Sequence, residues 1–260
     1  MKRKRFVPPR LTLFEKVAAV IFSGVLLACL GGIVRYFVLT GSAQAQFKKL
    51  ANTVHATTEV PLDGEISPLL EMLQEQNPDT AAWLRAEGTS LDYPVMYTPE
   101  SPQFYLRRDF AGGYSLAGTP FFDEACTPGE SANLVVHGHN LHSGGMFAVL
   151  EEYRDANYWR AHTTLCLELA DGPHLYKIFA VVEAELTPEN LGSYYALTGA
   201  GGPSAPEAHA AYAAFLKEQA LYATGVEPAP GAKLLTLSTC TNISPNGRLL
   251  VAACEIPPAA

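Results

Sequence analysis

Basic residues are scarce over most of this 260-residue chain. Seven of its eighteen Lys and Arg, but only one of its twenty-six acids, fall in residues 1–41. Residues 42–260 therefore hold eleven basic against twenty-five acidic residues, a net of −14. So acidic a domain lacks the basic face that a nucleic-acid partner needs. Charge would not hold it on an anionic membrane surface either. Cysteines number only five, at 29, 126, 166, 240 and 254, and the odd count leaves at least one thiol unpaired. No internal repeat is present, which argues against a solenoid or propeller. At 48% hydrophobic and 17% charged residues, the chain reads as one ordinary domain plus something extra.

The extra part is an apolar run. Val17 to Val34 carries eighteen residues without a charge, close to the ~20 that span a hydrocarbon core as a helix. Lys and Arg precede it, which predicts a cytoplasmic N-terminus and an outside C-terminal domain. Two alternatives stay open. Ala43-Gln44-Ala45 resembles a signal-peptidase site, although the run exceeds the usual ~7–15-residue signal core. Leu26-Leu27-Ala28-Cys29 resembles a lipoprotein box, but apolar sequence, Leu30 to Val38, follows it where a polar tether belongs. The expected layout is a basic cytoplasmic segment at 1–16, a transmembrane signal anchor at 17–39, a stalk and N-terminal helix at 40–79, and a β-barrel domain at 80–260.

Ser67-Pro68 ahead of Leu69, Leu70, Met72 and Leu73 predicts an N-capped helix ending near Asn77-Pro78, with its apolar face docked on the domain. From Ala81 the pattern turns to β. Short strands are expected at 81–87, 91–96, 118–123 and 133–137, with a helical turn at 103–106. Residues 146–162 read as a helix. Residues 163–170 and 174–186 form a hairpin across Asp171-Gly172-Pro173, with Leu165/Leu167/Leu169 and Ile178/Ala180/Val182 on one buried face. Residues 187–206 are rich in Gly, Pro and Ser and read as a loop. Residues 207–224 are helical, with Tyr212, Phe215, Leu216 and Leu221 at helical spacing and Gly225 as the stop. About eight strands and few helices predict a mainly β, closed or nearly closed barrel.

The last hairpin carries the chemistry. Leu234 to Thr239 is β-prone, Asn242, Ser244, Pro245, Asn246 and Gly247 are turn formers, and Leu249 to Cys254 is a second strand. Such a hairpin puts Cys240 at the end of one strand and Arg248 at the start of its antiparallel neighbour. A cation there favours the thiolate, the nucleophilic form of Cys, or holds a developing oxyanion. A small buried Cys ending a core strand is the competing reading.

Thr236-Leu237-Ser238-Thr239-Cys240, with an Arg opening the next strand, resembles the signature of sortases, the cysteine transpeptidases of Gram-positive cell surfaces. Asn133-Leu134-Val135-Val136-His137-Gly138-His139-Asn140 is similar to that family's Gly-His after a strand. Trp83 through Tyr93-Pro94-Val95 looks like its opening, and the resemblance covers roughly residues 80 to 256. The helix before the Cys strand and the helix at 67–77 resemble the class B branch.

The resemblance implies a closed eight-stranded sortase-type β-barrel with added helices and an enzyme without a cofactor. It assigns thiolate attack to Cys240, protonation of the leaving amine to His139 and oxyanion stabilisation to Arg248. Ser238 and His137 match substrate-contact positions, although His137 stands where class B leads one to expect Tyr. The implied partners are a surface-protein sorting-signal peptide and an amine of peptidoglycan or its lipid-linked precursor. The enzyme is expected to be a monomer, single-pass in the cell membrane, with its catalytic domain extracellular.

No carboxylate is evident to orient His139, and Asn140 reads as a neighbour only. His137, His139 and His142 invite a zinc reading, but no Asp or Glu in the loop completes a set, and no metal is assigned. Cys166 and Cys254 fit buried strand thiols, Cys126 a loop, and Asp123-Glu124 a solvated strand end. A secreted cysteine peptidase acting by hydrolysis is the alternative function. In papain-like families the Cys precedes the His and sits at a helix N-terminus, the reverse of this order. A non-catalytic surface module is a further class, disfavoured by the presence of Cys240, His139 and Arg248 together. Nothing in the sequence selects the sorting motif, the client protein or the amine.

Overall fold

The computed structural model describes residues 12–57, 67–199 and 206–256. The basic stretch Met1–Arg10 and the end of the 187–206 loop lie outside them. Helix α1, Leu13–Thr57, is continuous. Up to Leu39 the chain is a unit by itself, with Val20, Phe22, Leu27 and Val34 all exposed. The helix is long and apolar enough to cross a membrane, so it is a candidate membrane anchor.

From Thr40 the helix belongs to a second unit. There Ala43, Phe47, Ala51 and Val54 are buried, spaced to fall on one helix face. Phe47 meets Tyr93 edge-on at 5.6 Å, and Ala51 and Val54 pack with Leu69, Leu73 and Trp83. This part of the chain is a docked helix. Helix α2, Pro68–Gln76, follows and buries Leu69, Leu70 and Leu73. The expected cap is not made. The Ser67 hydroxyl makes no capping bond and donates to the buried carboxylate of Glu168. A buried carboxylate without a donor costs more than one uncapped N–H.

Eight strands follow: β1 Thr80–Arg85, β2 Asp92–Met96, β3 Phe121–Phe122, β4 Asn133–His137, β5 Thr164–Leu169, β6 Gly172–Glu185, β7 Leu234–Cys240 and β8 Gly247–Glu255. They close a barrel in the order β1-β2-β3-β4-β7-β8-β6-β5, with β1 against β5 completing the ring. The β2–β3 and β4–β7 pairs are parallel.

The expected helix at 146–162 is two pieces, a 3₁₀ run Phe147–Arg154 and helix α3, Ala156–Ala161. The Asp155 carboxylate accepts from the Asn157 N–H, so this residue starts the second piece and ends the first. The 187–206 loop contains a short helix α4, Leu191–Tyr194. Helix α5, Pro206–Glu218, stops short of the expected Thr224. Beyond it, the Tyr222 hydroxyl donates to the Tyr153 carbonyl and the Thr224 hydroxyl to the Phe179 carbonyl. These bonds hold the segment along the barrel wall and leave Leu221 exposed.

Strand alternation sorts side chains between two cores. Leu235, Leu237, Leu249, Val251 and Ala253 belong to the barrel interior. Leu234, Leu250, Ala252 and Cys254 face outward and are covered by Tyr212 and Leu216 of α5. Burial on both faces explains why β7 and β8 read as nearly continuous apolar runs. In β6 a register shift between Ile178 and Ala180 overturns the single buried face expected there. Ile178 and Val181 pack in the interior, whereas Phe179, Ala180 and Val182 pack against α5. One extra residue exchanges the faces of everything after it, and apolar residues on both faces conceal the exchange.

A charge cluster ties β8 to the β5–β6 turn. His174 places Nδ1 2.6 Å from Glu255 and Nε2 2.9 Å from Asp171. Burial alone would lower the His174 pKa, but the bonds to Glu255 and then Asp171 outweigh it and hold it above the ordinary value. A raised folded value means stabilisation that is complete below the unfolded value of ~6.5 and lost as pH climbs through the raised one. The melting-temperature gap between wild type and His174→Gln should therefore be wider at pH 5.5 than at pH 9. Equal gaps would refute the pairing.

Candidate active site

Cys240 closes β7 and Arg248 opens β8, as direct cross-strand partners. Such partners carry Cβ atoms about 5 Å apart on one face. By alternation that face is shared with Ser238 and Leu250, and Leu250 packs in the outer core. The site therefore opens on the outside of the barrel, whose interior is filled. Arg248 donates from Nη1 to the carbonyls of Gly247 at 2.9 Å and Pro245 at 3.3 Å. The turn's own backbone thus orients the guanidinium. Among the described residues no carboxylate pairs with it.

Strand β4 delivers His139 to the same end. Its parallel pairing with β7 runs to His137 opposite Ser238. Past that point the Gly138 N–H donates to the Ser238 carbonyl at 3.1 Å, and the Thr239 hydroxyl donates to the Gly138 carbonyl at 2.7 Å. Only glycine fits at 138, since a Cβ there would stand 2.5 Å from the fully buried Phe147 ring. The His139 carbonyl accepts from the Phe147 N–H at 2.9 Å. Nε2 of His139 lies 2.8 Å from the Leu106 carbonyl. That nitrogen must carry a proton to donate, which leaves Nδ1 as the titrating atom. Burial pushes the His139 pKa below its ordinary value; the Leu106 bond opposes this and the nearby Arg107 charge adds to it.

These residues line an open cleft of about 620 Å³. Ser238 is buried in its wall, with its hydroxyl 2.7 Å from that of Tyr195. His137 is half-buried, with Nε2 2.8 Å from the Asp123 carboxylate and its ring edge-on to Tyr195 at 5.5 Å. Asp123 is thus no solvated strand end. The β3–β4 register sets Phe121 opposite His137, and alternation brings Asp123 to the same side two residues on. Burial would raise the Asp123 pKa, but bonds from His137 and the Ala125 N–H hold it below the usual carboxylate value.

The remaining barrel thiols are poor nucleophiles. Cys126 is buried, accepts from the Val135 N–H at 3.2 Å, and has its pKa pushed by burial up to about 12. Burial also raises Cys166 and Cys254, and a thiol attacks as its thiolate. All five cysteines are free. Among the described residues no three His, Cys, Asp or Glu groups gather as metal ligands.

A model of the sortase domain matches residues 84–256. The chain belongs to the sortase family. Sortase B of Listeria monocytogenes is 31% identical to it over 188 residues, 71% of either chain. The Clostridium perfringens sortase B structure superposes with a TM-score of 0.64 at 27% identity, covering 72% of this chain and 98% of that one. Two Staphylococcus aureus sortase B structures, one a substrate complex and one a triglycine complex, reach 0.74 at 22% identity, covering 85% of this chain and 100% of theirs. The protein is a class B sortase and a cysteine transpeptidase.

Three groups at the candidate site have contacts that the sequence motifs do not reveal. Leu106 acts through a carbonyl, which no side-chain pattern reveals. Tyr195 sits in a loop of Gly, Pro and Ser, where two adjacent aromatics, Tyr194 and Tyr195, are the signal. Asn140, next to His139, bonds to the Cys240 carbonyl at 2.9 Å.

Proposed function

We propose that Cys240 is the nucleophile of this sortase, His139 its acid and base, and Arg248 its oxyanion donor. The observation that carries this is the placement of Cys240 and Arg248 as facing partners on one sheet face, with the His139 loop bonded to the same strand end. The Cys240 thiolate attacks a peptide carbonyl, and a C–S bond forms as the carbonyl electrons move onto oxygen. The Arg248 fork faces that oxyanion. His139 gives its proton to the leaving nitrogen, the C–N bond breaks, and a thioester remains. An acceptor amine then attacks the thioester and loses a proton to His139, and the thiolate returns.

The donor substrate is the C-terminal sorting motif of a surface protein, and the acceptor is an amine of peptidoglycan or its lipid-linked precursor. A substrate complex and a triglycine complex of S. aureus sortase B support a peptide and an amine in these roles. Ser238 and His137 form part of the peptide groove; both line the cleft beside Cys240. Helix α1 is the membrane anchor. The Lys and Arg ahead of it favour a cytoplasmic N-terminus and an extracellular barrel.

The test is amine dependence. A pooled library of internally quenched octapeptides should be cleaved faster with triglycine than without it, and the products should carry the added glycines by mass. Cleavage at one rate in both conditions, with free acids as the only products, would mean a hydrolase and overturn transfer.

A further inference from the structure

The β4–β7 ladder stops at His137 and Ser238, yet His139 and Cys240 both lie beyond that stop. Beyond the Thr239–Gly138 bond, a second side chain reaches across, and it bonds at Cys240 itself. Nδ2 of Asn140 lies 2.9 Å from the Cys240 carbonyl and 2.8 Å from Oε1 of Glu151. Both partners are acceptors only, so the atom between them is the NH₂ group and both its hydrogens are used. Glu151 is held in turn: its Oε2 accepts from Nε of Arg154 at 2.7 Å, and Arg154 also pairs with Glu183 on β6.

We propose that Asn140 is a positioning residue that fixes Cys240 relative to His139 through its bond to the Cys240 carbonyl. The proposal rests on Cys240 and His139 having the roles given above. Asn140 is covalently next to His139, so one amide couples the backbone of the acid to that of the nucleophile. Glu151 keeps the amide from rotating away. The loop that bears Asn140 is closed at its neck by an Asn140–Met146 bridge, where Met146 has φ of +54°, a left-handed value rare outside glycine. The carbonyl of Cys240 is thus tied to a fixed support rather than to a free loop. Below the nucleophile β7 is bonded on both sides by β4 and β8; past it the chain turns away through Asn242, at φ of +34°. On the β8 side pairing continues to the Thr241 N–H, which donates to the Gly247 carbonyl at 3.0 Å; on the β4 side the Asn140 bond fixes the Cys240 carbonyl where the ladder has ended. Catalysis depends on such fixed geometry, because small displacements of reacting groups lower rates steeply.

The test uses the full-length protein in detergent. Competent sites are counted by capture with the thiol reagent MTSET, mapped to Cys240 by peptide mass, so each rate is a rate per titrated site. The probe is the pooled octapeptide library with triglycine. Asn140→Leu keeps the number and branching of the side-chain heavy atoms and removes both donors. It should lower the rate per site about tenfold while the melting temperature moves little. Asn140→Gln keeps the amide on a longer arm and should stay within about threefold of wild type. A fall of less than threefold in Asn140→Leu overturns the proposal, as does an equal loss in the Leu and Gln variants. Should Asn140→Leu not fold, Glu151→Ala takes its place, since it frees the amide to rotate; a rate per site within twofold of wild type then overturns the proposal. Wild-type enzyme that forms no acyl adduct on Cys240 removes the underlying roles and the proposal together. A wild-type adduct beside an unimpaired Asn140→Leu removes the proposal alone.

Discussion

Cys240→Ala is expected to lose at least about 10³-fold in turnover and all covalent capture of a peptide, because loss of a nucleophile removes the pathway rather than slowing it. Cys240 is half-buried at a strand end, so removing its sulfur leaves no closed cavity and the change in stability should be small. No other barrel thiol is placed to take over. Cys126 has its pKa held up to about 12, and Cys166 and Cys254 are buried in strands. Intact-mass measurement after acid quench reads the thioester, and a melting curve reads the fold. An adduct that persists on the Ala variant would refute the assignment. Loss of the adduct together with a large fall in melting temperature would show a structural Cys.

The parts of the barrel legible in the sequence are those where one physical signal dominates. Strand β4 is marked by the β-prone Leu134-Val135-Val136 between Asn133 and His137, and the β7–β8 hairpin by its turn formers, so Cys240 and Arg248 fall opposite one another as read. The β6 register shift was not legible, because interior and outer faces are both apolar and alternation carries no information about a slip. Helix propensity also misled at 146–162, where Asp155 caps a new helix in the middle of an apolar pattern. In the site, motif residues were readable and their supports were not. Asp123 gains His137 as its partner only through the β3–β4 register, and Leu106 contributes a backbone oxygen. Asn140 was visible as a neighbour of His139, but its bond reaches a residue one hundred positions away.

Arg248→Lys is the sharper test of the oxyanion role. The wild-type guanidinium is aimed before substrate arrives, since one of its nitrogens already donates to the Gly247 and Pro245 carbonyls. A planar fork can hold those carbonyls and face an oxyanion at once; a single ammonium on a flexible stem cannot reproduce that geometry. Loss of an oxyanion donor typically costs about 10²–10³ in turnover. Residual charge in Lys should recover part of this, so the expected fall in kcat is at least about tenfold for Lys and larger for Arg248→Ala. Peptide binding should change much less, because the contact matures only as charge develops on the carbonyl oxygen. If Arg248 mainly grips the peptide, the loss appears in KM with kcat kept. If it serves the turn alone, both constants stay near wild type and the melting temperature drops. Steady-state kinetics on both variants with melting curves alongside separate the three outcomes, and an unchanged kcat in Arg248→Lys refutes the oxyanion role.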